Sequence, residues 1–147
     1  MKNVDFSKVF IGGETILFIV GDTVIPNASI IAYVSGDGGM FGKSPVSGAK
    51  VFNIPLIRVE KPFRRQGVGT ALLKKMCDVA DENGYVLELG VSANEEVISI
   101  EDLKSFYLKF GFKEFIDPVT NEGTCIMYRV PQVTEKISET VKAEPWV

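Results

Sequence analysis

Val59-Glu60-Lys61-Pro62-Phe63-Arg64-Arg65-Gln66-Gly67-Val68-Gly69-Thr70-Ala71-Leu72-Leu73 is the stretch whose reading decides this chain. It leaves a β-rich run, breaks at Pro62, passes two basic residues and two glycines, and enters a helical pattern. Val68, Leu72, Met76 and Val79 recur at helical spacing, with Ala80 beside the last, so the spacing predicts a half-buried helix. Asn83-Gly84 closes it as a left-handed cap would. The glycines therefore fall at a strand-to-helix junction, where several backbone N–H groups have no partner within the helix. An anion placed there gains hydrogen bonds and the helix dipole. Gly67 and Gly69 carry no Cβ, so a phosphate can approach the backbone closely, and Arg64 and Arg65 add positive charge beside it.

The kind of cradle follows from what is missing. A Walker loop needs Gly-Lys-Ser/Thr, but Gly69 is followed by Thr70-Ala71. A dinucleotide fingerprint needs a third glycine where Leu72 stands. The spacing that fits is Arg64-x-x-Gly67-x-Gly69, then Thr70-Ala71-Leu72-Leu73. It resembles the pyrophosphate loop of the GNAT-superfamily N-acetyltransferases, which hold acetyl-coenzyme A. The plainer reading is a strand–helix turn whose glycines only permit packing. Tyr107-Leu108-Lys109-Phe110-Gly111-Phe112 resembles the second hallmark of the same superfamily, a tyrosine four residues before Gly-Phe. The order strand, phosphate loop, helix, strand, helix, Gly-Phe, hairpin is also similar to the GNAT core. The likeness is strongest from Asn53 to Phe112 and extends from Thr15 to Val130.

The chain has 147 residues, nearly half of them apolar, which suits one domain with one core. No apolar run is long enough to span a bilayer, so no membrane role is expected. Met1-Lys2-Asn3-Val4-Asp5 does not lead into a signal-peptide pattern, which predicts a cytoplasmic protein. Cys77 and Cys125 cannot define a disulfide framework and read as thiols. There is no histidine, which removes the usual general base, most zinc sites and a Ser-His triad; no metal is expected. The net charge of −3 does not favour nucleic acid and mildly favours a cationic partner.

Along the chain, Val9-Phe10-Ile11 is a candidate short strand before Gly12-Gly13. Thr15–Val20, Ala28–Val34, Val51–Val59 and Tyr85–Val91 read as strands, with Glu88 interrupting the last apolar run. Ser35–Ala49, rich in glycine and serine, reads as a surface loop. A second helix begins at a Ser99 cap with Glu101 and Asp102 in its first turn. It repeats Leu103, Phe106, Tyr107 and Phe110, and ends at Gly111. Lys113–Ile116 and Thr124–Val130 flank turn-forming residues and should pair antiparallel. Residues 1–131 form the expected domain. Residues 132–147 form a tail of alternating charge with a short peripheral helix near Val133–Val141.

The resemblance implies a single-domain α/β (α+β) fold with a mixed, mostly antiparallel sheet flanked by helices. It also implies a truncated N-terminal acceptor region. Family members usually carry a strand and two acceptor-site helices where only fourteen residues precede Thr15 here. The Ser35–Ala49 loop, the tail or the second subunit of a homodimer is then needed to complete the acceptor side. The implied reaction is direct attack of a primary amine, on a small molecule or a peptide, on acetyl-coenzyme A. Ile57 and Val59 would pair with the pantetheine arm like an added strand, and Gln66, Gly67, Val68, Gly69 and Thr70 would hold the pyrophosphate beside Arg64 and Arg65. Asn94 is the candidate for the family's cofactor-binding asparagine, although Ile100 stands at the family's usual spacing. Tyr107 would protonate the leaving thiol. With histidine absent, Glu88 and Glu60 are the candidate bases, unless Glu88 is simply an outward-facing strand residue and Glu60 a solvated one. A GNAT-like module that binds coenzyme A or a protein without turnover is the alternative.

Overall fold

The computed structural model describes residues 5–35, 45–46, 48–64, 66–91 and 99–132. Seven strands form one sheet in the order β1-β2-β3-β4-β5-β7-β6. Four successive strands make an antiparallel meander: β1 (Phe6–Ile11), β2 (Thr15–Gly21), β3 (Pro26–Val34) and β4 (Val51–Val59). A 3-10 turn (Lys61–Phe63) leads into α1 (Val68–Asn83), which crosses over to β5 (Val86–Gly90). Strands β4 and β5 are the one parallel pair among the described residues. Helix α2 (Ile100–Leu108) then precedes the hairpin of β6 (Lys113–Ile116) and β7 (Gly123–Arg129).

Sequence chemistry accounts for the element ends. Ser99 Oγ accepts the Asp102 N–H at 3.1 Å and caps α2. Gly84, at φ 72°, closes α1 by donating its N–H to the Ala80 carbonyl. Beyond α2, Gly111 takes φ 92°, and the Phe112 N–H returns to the Tyr107 carbonyl at 3.3 Å. One difference from expectation lies at the start. The first strand is Phe6–Ile11 rather than Val9–Ile11, because it pairs along β2 from Phe6↔Val20 to Ile11↔Ile16. Strand pairing across the sheet, which alternation cannot reveal in so short a segment, extends it. Only Gly12–Glu14 separate β1 from β2, so no helix lies between them. The tail helix expected near Val133–Val141 and most of the Ser35–Ala49 loop lie outside the described residues.

The core sits between one sheet face and the helices. Phe18, Ile30, Phe52 and Leu87 from the sheet meet Leu72, Met76 and Ala80 of α1, with Tyr107 and Phe112 joining from the α2 side. Neighbouring residues on a strand point to opposite faces. Phe52 and Leu87 face the helices, so Asn53 and Glu88 face the other side of the sheet.

Leu72 is fully buried at the centre of this core. Leu72→Ala should lower the unfolding free energy by about 2–5 kcal/mol. Chemical denaturation measures the change; a loss below roughly 1 kcal/mol would show that α1 packs only loosely on the sheet.

Candidate active site

Strands β4 and β5 run together for three rungs and then part. The pairs are Val51↔Val86, Phe52↔Leu87 and Asn53↔Glu88, the only rungs among the described residues. The cause lies in β4. Between Ile31↔Leu56 and Tyr33↔Asn53, two steps along β3 match three along β4, so β4 carries an extra residue at Ile54-Pro55. Pro55 has no N–H to give to a neighbouring strand, and a proline inside a sheet belongs at such a bulge. The expected strand Val51–Val59 is present but bulged, and Pro55 is the signal of the bulge in the sequence.

The parted strands bound a cleft of about 390 Å3. Ile54, Pro55, Leu56 and Ile57 form one wall, and Leu89 and Gly90 the other. Leu103, Phe106 and Tyr107 of α2 line it from the helix side, and Gly69 stands at the α1 end. Its length suits an extended ligand: from Val59 back to Asn53, β4 spans about 20 Å.

At the α1 end lies the strand-to-helix junction that carries the two glycines. Gly67 precedes the helix at φ 84°, and the first helical bond runs from Ala71 N–H to the Gly67 carbonyl at 3.0 Å. The amides of Val68, Gly69 and Thr70 lie in the unbonded first turn, with no side-chain cap and no acidic residue there. Arg64 folds back, its Nε donating to the Val59 carbonyl at 2.9 Å. Gln66 Nε2 donates to the Pro62 carbonyl at 3.0 Å, which braces the turn. These open amides fit a phosphate group. Ile57 lines the cleft, and Val59 lies beside Gly69 and packs against the core. Arg65 and Asn94 lie outside the described residues.

The three candidate catalytic residues separate. Tyr107 is 9% exposed and lines the cleft, its ring against Phe106 and Phe112. Burial raises its phenol pKa above the ordinary value, so the hydroxyl holds its proton through neutral and mildly alkaline pH. Glu88 is 1% exposed, on the last rung before the strands part. Its Oε2 accepts from Ser35 Oγ at 2.9 Å and from Asn53 Nδ2 at 3.2 Å. It is therefore not a solvated strand residue. Sequence reasoning did not single out Ser35 or Asn53; only the strand register brings them to Glu88. Glu60 stands apart at the far end of β4, paired with Arg58 Nε at 2.6 Å on the surface. Tyr107 belongs to the helix-side core, whereas Glu88 faces the opposite side of the sheet. Tyr107 lines the cleft, and Glu88 is not among its lining residues.

Cys77 is no nucleophile: burial pushes its thiol up to about 11, so it stays protonated in the core. Among the described residues no cluster of acidic or cysteine side chains could hold a metal ion, and no helix is long and apolar enough to cross a membrane.

Residues 17–114 match the family profile of the acetyltransferase (GNAT) domain. The chain belongs to the GNAT acetyltransferase family. None of the curated protein sequences matches it. Solved structures share the fold. The ribosomal-protein-S18-alanine N-acetyltransferase of Escherichia coli is 21% identical with a TM-score of 0.55, over 84% of this chain and 73% of that one. The anti-CRISPR protein AcrVA5 is 23% identical with a TM-score of 0.51, over 78% of this chain and 97% of that one. The PaiA N-acetyltransferase of Thermoplasma acidophilum, solved with coenzyme A, is 14% identical with a TM-score of 0.52, over 80% and 61%. At these identities the likeness establishes the architecture.

The two glycines of the cradle should respond differently to substitution. A Cβ on Gly69 would meet Val59 Cγ2 at 3.6 Å, an ordinary contact, whereas Gly67 holds a left-handed backbone. Gly67→Ala should cost about 1–2 kcal/mol of stability and Gly69→Ala much less. Thermal melts of both variants check this, and equal losses would contradict the assigned backbone.

Proposed function

We propose that this protein is an acetyl-coenzyme A-dependent N-acetyltransferase acting on a primary amine by direct attack. The observation that carries the reading is the cleft. It begins at the open amides of α1 and runs between the parted strands past Tyr107, with Glu88 on the last rung before they part. The amides of Val68–Thr70 would hold the pyrophosphate, with Arg64 and Arg65 adding charge. The β4 edge from Ile54 to Val59, left without β5 beside it, would take the pantetheine arm as an added strand. The thioester would then lie near the Asn53–Glu88 rung.

The chemistry balances at that point. The amine nitrogen forms a bond to the acyl carbon, the carbon–sulfur bond breaks, nitrogen gives up a proton and sulfur takes one. An alkyl amine with a pKa of about 10.4 is almost wholly protonated at neutral pH, so a base is useful. Glu88 suits this role better than Glu60: it lies at the rung, and a water could relay the proton to it. Glu60, at the other end of β4, suits the cradle end instead. Tyr107, protonated at working pH, would supply the proton to sulfur from the helix side.

Release of coenzyme A thiol in the presence of a panel of amines tests the reading. Tyr107→Phe keeps the ring and removes the hydroxyl. It should lower turnover roughly ten-fold or more with cofactor affinity little changed. Glu88→Gln should lower turnover by about 10²-fold or more, and Glu60→Gln should not. Cofactor binding with no thiol release for any amine would make the protein a binding module. Wild-type turnover in Tyr107→Phe would return that residue to the core.

A further inference from the structure

A buried ion pair lies behind the candidate proton donor. Arg129, on β7, is 6% exposed. Its Nη1 and Nη2 donate to the two carboxylate oxygens of Asp81 on α1, at 2.7 and 3.0 Å. Its Nε donates to the Phe110 carbonyl at 2.6 Å. Asp81 Oδ1 also accepts the Gln132 N–H at 2.7 Å. One guanidinium thus joins α1, β7 and the turn that ends α2. A fork of this shape can satisfy a carboxylate and a carbonyl together, which a lysine ammonium cannot do in the same geometry.

That turn wraps the backbone of Tyr107. The N–H groups of Phe110 and Phe112 both donate to the Tyr107 carbonyl, at 3.0 and 3.3 Å, and Phe112 packs its ring against the Tyr107 ring. Gly111 makes the bend at φ 92°, and a Cβ there would stand 3.5 Å from Arg129 Nε. Tyr107 lies on a helix of only nine residues. Its orientation therefore depends on what fixes the C-terminal end of that helix.

We propose that Arg129, held by Asp81, is a positioning residue that fixes the Phe110–Phe112 turn and so aims the Tyr107 hydroxyl into the cleft. The inference rests on the role given to Tyr107 under the proposed function. It adds that the far end of α1, three turns from the phosphate cradle, is coupled to the donor through a single guanidinium.

Arg129→Lys and Asp81→Asn are the variants, each first checked for a cooperative melt. Hydrogen exchange needs no acceptor: in either folded variant the Phe110 and Phe112 amides should exchange on the order of ten-fold faster, with the α1 core amides unchanged. Unchanged exchange at that turn would overturn the inference. The second arm is a double-mutant cycle with Tyr107→Phe in the thiol-release assay. Arg129→Lys should lower kcat roughly ten-fold in the wild-type background, with the KM for acetyl-coenzyme A little changed. Against Tyr107→Phe it should cost under about two-fold more, because the hydroxyl it aims is gone. An equal fall in both backgrounds would make Arg129 merely structural. Full activity in Tyr107→Phe itself would instead remove the proposed function's donor.

Discussion

The parting of β4 from β5 is the constraint on which the rest of this structure depends. Two parallel strands inside a sheet ordinarily continue their ladder and bury both edges. Here the ladder stops at Asn53↔Glu88, because an extra residue at Ile54-Pro55 bends β4 and a proline cannot donate to its neighbour. Each strand remains paired on its outer side, β4 with β3 and β5 with β7, so the opening costs little of the sheet. What it exposes is a strip of β4 backbone with apolar walls, closed at the Val59 carbonyl by Arg64, along which an extended ligand carrying amide groups can pair.

The same split organises charge and acidity. Helix α1 begins just past the end of β4, so its open amides lie at one mouth of the cleft. At the inner end, strand alternation puts Glu88 on one sheet face while α2 brings Tyr107 to the other. Under the proposed function, Glu88 would accept a proton and Tyr107 would supply one from opposite sheet faces. Asp81 and Arg129 form an ion pair that ties α1 to β7 and to the turn after α2.

Much of this was legible in the sequence. The glycines at 67 and 69 before a helical stripe, and Tyr107 before Gly111-Phe112, carry backbone requirements that few other arrangements share. Gly67 at φ 84° and Gly111 at φ 92° take conformations that glycine adopts at least cost. The environment of Glu88 was not legible, because Ser35 and Asn53 reach it only through strand register. Nor was the pairing of Asp81 with Arg129, forty-eight positions apart. Helical alternation alone would have left Asp81 on a solvated face.

A structure of the protein with coenzyme A bound tests the central claim most directly. The account predicts the pantetheine arm between Ile54–Val59 and Leu89–Gly90, its amide groups bonded to the β4 backbone. The pyrophosphate should lie on the amides of Val68, Gly69 and Thr70, and the sulfur near Tyr107. Coenzyme A seated elsewhere, or β4 and β5 closed against each other with the ligand excluded, would contradict it.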